Sequence, residues 1–371
     1  MSKEETQMVA QIEKAMETFL KEDGNANILV VGATGVGKSA LVNKVFGVDF
    51  SKVGTGKPVT QETTRYTVKD MPITLFDTKG YELASEEHSR FLKEMQLYMN
   101  DSAKKINDQV HIVWYCIAAP NSRVTDMDIA MIEQFMKTGK PVAVIFTKSD
   151  MSTMEDIEAM AATLAPTGVQ SFYVSTQFDQ GGNFQLGELM TWTYEQMEPS
   201  VKYAFLRAQR ANVDLVKKEV NKAIRQHAAA SFAVGFTPIP FADGPLLLAN
   251  QSAMIGRIMK QYRLDSDFEN ISMIVSALGA GTIVSNLGRY LVAQLTKFIP
   301  GAGSVINGSV ATAITVSLGF TISEICYRIA KKNLSGEDVT AFVSDLLKSD
   351  EVKQLFDEFF KKEMDDQKKK K

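Results

Sequence analysis

Cysteine is scarce in this chain of 371 residues: there are two, Cys116 and Cys326, far apart and each inside an apolar segment. That excludes a disulfide-stapled scaffold and reads as two buried thiols in a reducing, cytosol-facing compartment. An excess of positive charge is also missing, since 41 Lys and Arg stand against 44 Asp and Glu for a net charge of −3. A general nucleic-acid binder is therefore not indicated, no specific DNA binding is expected, and no RNA-binding module is legible in the C-terminal half. The opening residues Met1-Ser2-Lys3-Glu4-Glu5 lack the apolar core of a secretion leader, so a cytoplasmic location is expected. What the chain does have is the 45% hydrophobic and 23% charged content of an ordinary folded protein, at a length that suits two domains.

The stretch with the most chemistry is Gly32-Ala33-Thr34-Gly35-Val36-Gly37-Lys38-Ser39, between the apolar run Ile28 to Val31 and the helical pattern Ala40 to Phe46. Strand, glycine-rich turn and helix N-terminus, in that order, form a phosphate cradle. The glycines at 32, 35 and 37 admit positive φ and close approach of an anion, so that the N–H groups of residues 32 to 40, including Thr34, Val36 and Ala40, can face a nucleotide phosphate. Lys38 is placed to bridge β- and γ-phosphates, and the Ser39 hydroxyl to ligate Mg²⁺.

Downstream, the polar segment Gly47 to Gln61 carries Thr55 and Thr60, with Thr63 and Thr64 just beyond. Strands are expected at Thr64 to Lys69 and Ile73 to Phe76, the second entering Asp77-Thr78-Lys79-Gly80. A carboxylate there can hold a Mg²⁺-bound water, and the Gly80 N–H can reach a γ-phosphate. A helix over Ser85 to Lys104, a strand over Val110 to Ile117, a helix over Thr125 to Lys137 and a strand over Pro141 to Phe146 follow. After these comes Thr147-Lys148-Ser149-Asp150, in which the Asp150 carboxylate can accept from N1–H and N2–H₂ of guanine and the Lys148 stem can cover the base. Strand Ser171 to Val174 then enters Ser175-Thr176, which suits contact with a purine carbonyl.

In this order the motifs resemble the small GTPase domain of the translation-factor-related superclass, especially its Era-like group, over residues 25 to about 198. The resemblance implies a doubly wound α/β domain that binds GTP or GDP with Mg²⁺ and hydrolyses GTP. The residues it implies are Gly32 to Ala40, Asp77, Gly80, Thr147, Lys148, Asp150, Ser175 and Thr176, with a switch I threonine. Thr60 is the choice for that metal-binding threonine, with Thr63 and Thr64 as alternatives. Tyr81 stands where Ras-like relatives keep a water-orienting glutamine, Gly35 where potassium-using relatives keep asparagine, and Lys79 where proline is commoner. The resemblance implies Lys38, Thr60 and Gly80 as the groups at the reacting phosphate, with the attacking water positioned by a backbone group, another side chain or a partner.

The amphipathic pattern of Met8, Ile12, Met16, Phe19 and Leu20 marks an N-terminal helix within residues 1–24. Behind Pro199 an all-α domain is expected over 199–371, resembling an uncharacterised helical domain found behind Era-like GTPase domains in bacterial proteins. Its parts are a long helix over Val201 to Ala230, a break at Gly235 to Pro245, a helix to about Tyr262, apolar segments at Ile271 to Gly288 and Phe298 to Ser323, and an amphipathic helix over Val339 to Phe360. The two apolar segments have nearly the length of membrane spans, but Ser and Thr dilute them, so a buried hairpin is expected, with membrane insertion as the alternative. The sequence thus reads as a GTP-dependent switch with an unidentified protein effector. A membrane-associated mechanochemical or scaffold GTPase, peripheral membrane association, a homodimer and a ribosome-assembly GTPase are the alternatives.

Overall fold

The computed structural model describes residues 24–47, 57–58, 63–67, 73–78, 93, 99, 108–177, 184–234, 244–264, 308–335, 339–348 and 351–369. The chain divides into two compact units, Asp23–Asn212 and Val213–Lys371, the latter taking in Met1–Glu22. The expected helix over residues 6 to 22 and the apolar segment 271 to 288 lie outside the described residues, as does the expected helix over 85 to 104 apart from Lys93 and Met99.

The first unit is built on a seven-stranded sheet: β1 (Ala26–Val31), β2 (Lys57–Pro58), β3 (Thr63–Thr67), β4 (Ile73–Thr78), β5 (Ile112–Ala118), β6 (Val142–Thr147) and β7 (Gln170–Tyr173). Its spatial order is β2-β3-β4-β1-β5-β6-β7. β4, β1, β5, β6 and β7 run parallel, while β2 and β3 are antiparallel additions at one edge. Continuous apolar runs such as Ile112-Val113-Trp114-Tyr115-Cys116-Ile117-Ala118 form strands buried on both faces, because helices cover both sides of a parallel sheet. Side chains alternate between the faces, and each large apolar group so buried contributes about 1.5–3 kcal/mol.

Leu29, Val31, Val113, Tyr115 and Ile117 meet the helices α2 (Asp126–Met136) and α3 (Met154–Leu164) through Met131, Ile132, Phe135, Ile157, Met160 and Leu164. On the opposite face Trp114 stacks on Phe46 of α1 (Lys38–Phe46), with centroids 6.1 Å apart, and donates its indole N–H to Thr193 of α4 (Leu186–Gln196) at 3.1 Å. Phe205 of α5 (Pro199–Ala208) meets Phe46 edge-on at 6.5 Å. The architecture is therefore the expected doubly wound α/β fold.

Two differences from the sequence expectation concern Pro199 and the helix after it. Pro199 does not end the first unit: it stands in the first turn of α5, where a missing N–H costs nothing, and α5 buries Val201, Ala204, Phe205 and Leu206 within the sheet unit. The boundary falls after Asn212. The single long helix expected over Val201 to Ala230 is two, α5 and α6 (Val213–Val234), because the intervening turn is held by side chains: the Asn212 N–H donates to Gln209 Oε1 at 2.8 Å and Gln209 Nε2 donates to the Asn212 carbonyl at 3.0 Å.

The second unit packs α6, α7 (Gly244–Gln261) and α10 (Glu351–Lys369) around α8 (Gly308–Ser335), with α9 (Val339–Lys348) alongside. The expected helix over Val339 to Phe360 is described as two elements, α9 and α10. Polar residues that dilute the second apolar segment are satisfied inside the bundle. Ser317 donates to the Ala313 carbonyl at 2.6 Å, Thr321 to the Ser317 carbonyl at 2.8 Å, and Ser323 to Asn221 Oδ1 at 2.9 Å. At Gly319 a Cβ would fall 2.6 Å from Ile224 Cγ2, so the absence of a side chain sets the α6–α8 approach. Burial alone would push the Glu324 carboxyl up, but Lys217 at 2.7 Å and Arg328 at 2.8 Å hold it below the usual carboxylate range. No helix among the described residues is long and apolar enough to cross a membrane.

Candidate functional site

The chemistry-bearing residues gather at the C-terminal ends of the parallel strands, where an open α/β sheet offers its crevice. The first group lies on the turn between β1 and α1. Gly32 has φ +147°, and a Cβ there would sit 2.4 Å from the Cys116 carbonyl oxygen, so the turn passes the end of β5 only as glycine. Gly35, at φ +75°, is exposed, with nothing among the described residues within 4 Å of where a Cβ would lie. Gly37, at φ +102°, caps α1, and its carbonyl accepts the first helical bond from the Leu41 N–H at 2.9 Å. Thr34, Gly35, Ser39 and Ala40 are exposed, whereas Gly32 and Val36 are buried, so the loop turns one face to solvent and anchors the other. Lys38 arches back over this loop, its Nζ donating to the Gly32 carbonyl at 2.9 Å and the Ala33 carbonyl at 3.2 Å. A positive charge and the N-terminal end of a helix dipole therefore stand at one loop.

The second group closes on the first from the far side of β5. Thr147, at the end of β6 and 1% exposed, donates its hydroxyl to the Val36 carbonyl and lies 3.3 Å from the Ile117 carbonyl. Lys148 extends its ammonium to the Gly35 carbonyl at 2.7 Å. Asp150 follows, half-buried, in the short 3-10 turn Ser149–Met151. Ser149 was not singled out from sequence, yet it fixes this turn: its hydroxyl donates to the Phe146 carbonyl at 2.8 Å and its N–H to the Val174 carbonyl at 3.1 Å. A serine two residues past a strand is the sequence signal for such a turn. The same pairings bring the end of β7, with buried Ser175 and half-buried Thr176, beside the Asp150 turn. The Ser175 hydroxyl accepts the Gln177 N–H at 3.2 Å.

On the other flank Asp77 stands in β4 in register with Val30, two residues before Gly32, and opposite Thr64 of β3. Thr63 lies in β3. Thr60 and Gly80, like Lys79 and Tyr81, lie outside the described residues. The structure thus brings together Gly32 to Ala40, Thr147, Lys148 and Asp150, with Ser175 and Thr176 beside Asp150. An open glycine cradle with a lysine over it suits a di- or triphosphate, and a half-buried carboxylate on the neighbouring turn suits the N–H edge of guanine.

Residues 27–148 match the family model described as 50S ribosome-binding GTPase. The chain is 32% identical over 133 residues to the probable GTP-binding protein EngB of Aquifex aeolicus (strain VF5), an alignment covering 35% of this chain and 69% of the relative. It is 25% identical over 177 residues to GTPase Der of Geotalea daltonii, covering 47% of this chain and 38% of that one. Septin-9 of Mus musculus is 23% identical over 206 residues, and there the chain spans only 35% of the relative's length. Among solved structures, a probable GTP-binding protein engB superposes with a TM-score of 0.35 at 18% identity, over 46% of this chain and 98% of that one.

The Thr147 tether carries its own test. Valine keeps the shape and removes the hydroxyl, leaving buried carbonyls without their donor at a cost of about 1–3 kcal/mol. Thr147→Val is expected to weaken GDP binding about tenfold, with Thr147→Ser restoring it; calorimetric titration of both variants decides, and an unchanged affinity in the valine variant removes Thr147 from the site.

Proposed function

This chain belongs to the P-loop GTPases, and on that premise we propose that it is a GTP-binding switch with slow intrinsic hydrolysis whose nucleotide state governs the helical region beyond Asn212. The observation that carries the reading is the closure of the Thr147-Lys148 turn onto the glycine loop, with Lys148 at 2.7 Å from the Gly35 carbonyl. It supports one continuous seat for base and phosphates. In this reading the N–H groups of the loop and Lys38 hold the phosphates, Asp150 accepts from the guanine edge, and Ser175 and Thr176 flank the base.

The hydroxyl of Ser39, the carboxylate of Asp77 and a threonine of the 60–64 segment are a hard-oxygen donor set of the kind Mg²⁺ prefers. Bound there, the ion would neutralise charge that builds between β- and γ-phosphates. Gly80 would offer its N–H to the γ-phosphate, so that segments 47–61 and 77–80 respond to its presence and its loss. Tyr81 cannot supply the two-sided amide hydrogen bonding with which a glutamine orients water, and Thr34 narrows the approach for an arginine from a partner.

Purified protein is therefore expected to turn over GTP at roughly 10⁻⁴ to 10⁻² per second, the range of unaided switches. Single-turnover release of phosphate, together with titration by GDP and by ADP, checks both halves of the statement. Equal affinity for the two diphosphates would overturn the guanine reading, and a rate of many turnovers per second would overturn the switch. The ribosome in the matched family's description is a separate matter for this chain, tested by co-sedimentation with 50S subunits in each nucleotide state.

A further inference from the structure

α1 is a rod of nine residues, about 13 Å long. Its first turn forms part of the phosphate cradle. Its other end is held by the turn Gln209 to Asn212, some 160 residues further along the chain. Gly47 closes the helix in the left-handed region, at φ +64°, with its N–H on the Asn43 carbonyl at 2.8 Å. The carbonyl of Val45, one of those an ending helix leaves without an internal partner, accepts the Arg210 N–H at 2.6 Å. The Arg210 side chain then lies on the bare face of Gly47: a Cβ there would fall 2.7 Å from Cδ and Nη1 and 2.9 Å from Cζ. A guanidinium at a helix C-terminus also suits the negative end of the dipole.

The turn that presents Arg210 contains neither glycine nor proline and is fixed by its own side chains. Gln209 is 3% exposed and bonds the Asn212 backbone on both sides. Asn212 in turn donates from Nδ2 to the Gly187 carbonyl in the first turn of α4 at 2.9 Å. α4 is itself joined to the base side of the site: Gln185, just before it, donates its N–H to the Tyr173 carbonyl at 2.9 Å and accepts the Tyr173 N–H at 3.2 Å. One four-residue turn therefore grips the far end of the phosphate-loop helix and the near end of the helix that follows the purine-contacting strand. The residue after it, Val213, begins α6.

We infer that the Gln209–Asn212 turn is a relay of nucleotide state, with Arg210 as the positioning residue that reads the C-terminal end of α1 and sets the start of α6. The inference rests on the switch reading and gives it a physical route. Phosphate at one end of a short stiff helix fixes that helix, and a clasp at the other end feels it.

The test is hydrogen exchange on the full chain, without nucleotide, with GDP and with a non-hydrolysable GTP analogue, beside calorimetric titration of the same samples. Amides 209 to 216 of the wild type are expected to exchange about fivefold or more slowly once nucleotide is bound. Arg210→Ala is expected to lose that difference while its GDP affinity stays within about threefold of wild type, since no phosphate or base contact is removed. Gly47→Ala keeps Arg210 and pushes its guanidinium off the helix end, and is expected to lose the difference too, which covers the case in which the alanine variant at 210 does not fold. Arg210→Lys, which keeps a long stem and the positive charge where alanine keeps only the backbone bond, is expected to keep part of it. Wild-type amides that exchange equally in all three states, in a protein that titrates with GDP, would overturn the relay and leave the nucleotide site standing. A nucleotide difference that persists in both Arg210→Ala and Gly47→Ala would remove Arg210 from it. Absence of any GDP binding in the wild type would instead overturn the reading beneath it.

Discussion

Lys38→Ala is expected to weaken GDP and GTP binding by about two orders of magnitude, the equivalent of roughly 3 kcal/mol. In the structure the ammonium is placed by the Gly32 and Ala33 carbonyls, at 2.9 and 3.2 Å. The entropy of ordering a long flexible side chain is therefore already spent, and more of its attraction for phosphate appears as affinity. Alanine removes the positive charge and leaves two loop carbonyls without their donor, so both the field at the cradle and its shape suffer. These two bonds are only partly buried, so global stability should fall far less than affinity does. Titration calorimetry against thermal melting separates the two, and a change in affinity below about threefold would mean that phosphate does not sit under Lys38.

Asp150→Asn is expected to invert base preference. Guanine presents two N–H donors to the carboxylate; an amide meets one of them with a donor of its own, and the charge that strengthened both bonds is gone. Xanthine carries an oxygen in place of the 2-amino group, which the carboxylate repels and the amide can donate to. A site that hydrogen-bonds a ligand rejects the mismatched analogue by about 10⁴-fold or more when its polar groups are buried, and a half-buried Asp150 should deliver a smaller swing of about 10²- to 10³-fold. Competition between GDP and xanthosine diphosphate on both proteins reads this directly. Parallel losses for the two ligands would show that Asp150 supports the turn without touching the base.

The first-unit fold was legible because its signals are local. Glycines at 32, 35 and 37 followed by Lys38-Ser39 specify a turn and a helix start within eight residues, and the apolar runs of β5 and β6 announce buried strands. The break between α5 and α6 was not, since Leu206-Arg207-Ala208-Gln209-Arg210-Ala211-Asn212-Val213 is composed largely of good helix formers. What ends α5 is a set of bonds made elsewhere, from Gln209 to Asn212 and from Arg210 to Val45. For the site, residue types pointed to phosphate and base chemistry, but not to Thr147 as a tether to Val36 or to Ser149 as the residue that pins the turn. Those roles depend on pairings over long separations, which no window of sequence contains.

The pairings that complete the site have a bearing on how the protein is made. Thr147 reaches across 111 positions of chain to Val36, and Lys148 across 113 to Gly35. During synthesis the glycine loop emerges long before the strand that closes it, and until β6 is seated beside β5 the contacts of Thr147 and Lys148 with that loop cannot form. Contacts of such separation form late, because the loop they close must first lose its freedom. Guanine nucleotide is thus a ligand that only a nearly finished domain can hold. Once held, it favours the native state by RT ln(1 + [L]/Kd), about 4 kcal/mol at a thousandfold excess over Kd. In a cell rich in the nucleotide, a newly made copy would pass from a vulnerable chain to a protected one in a single step, and a variant with a loosened tether would be cleared by proteases before its catalysis was ever tested.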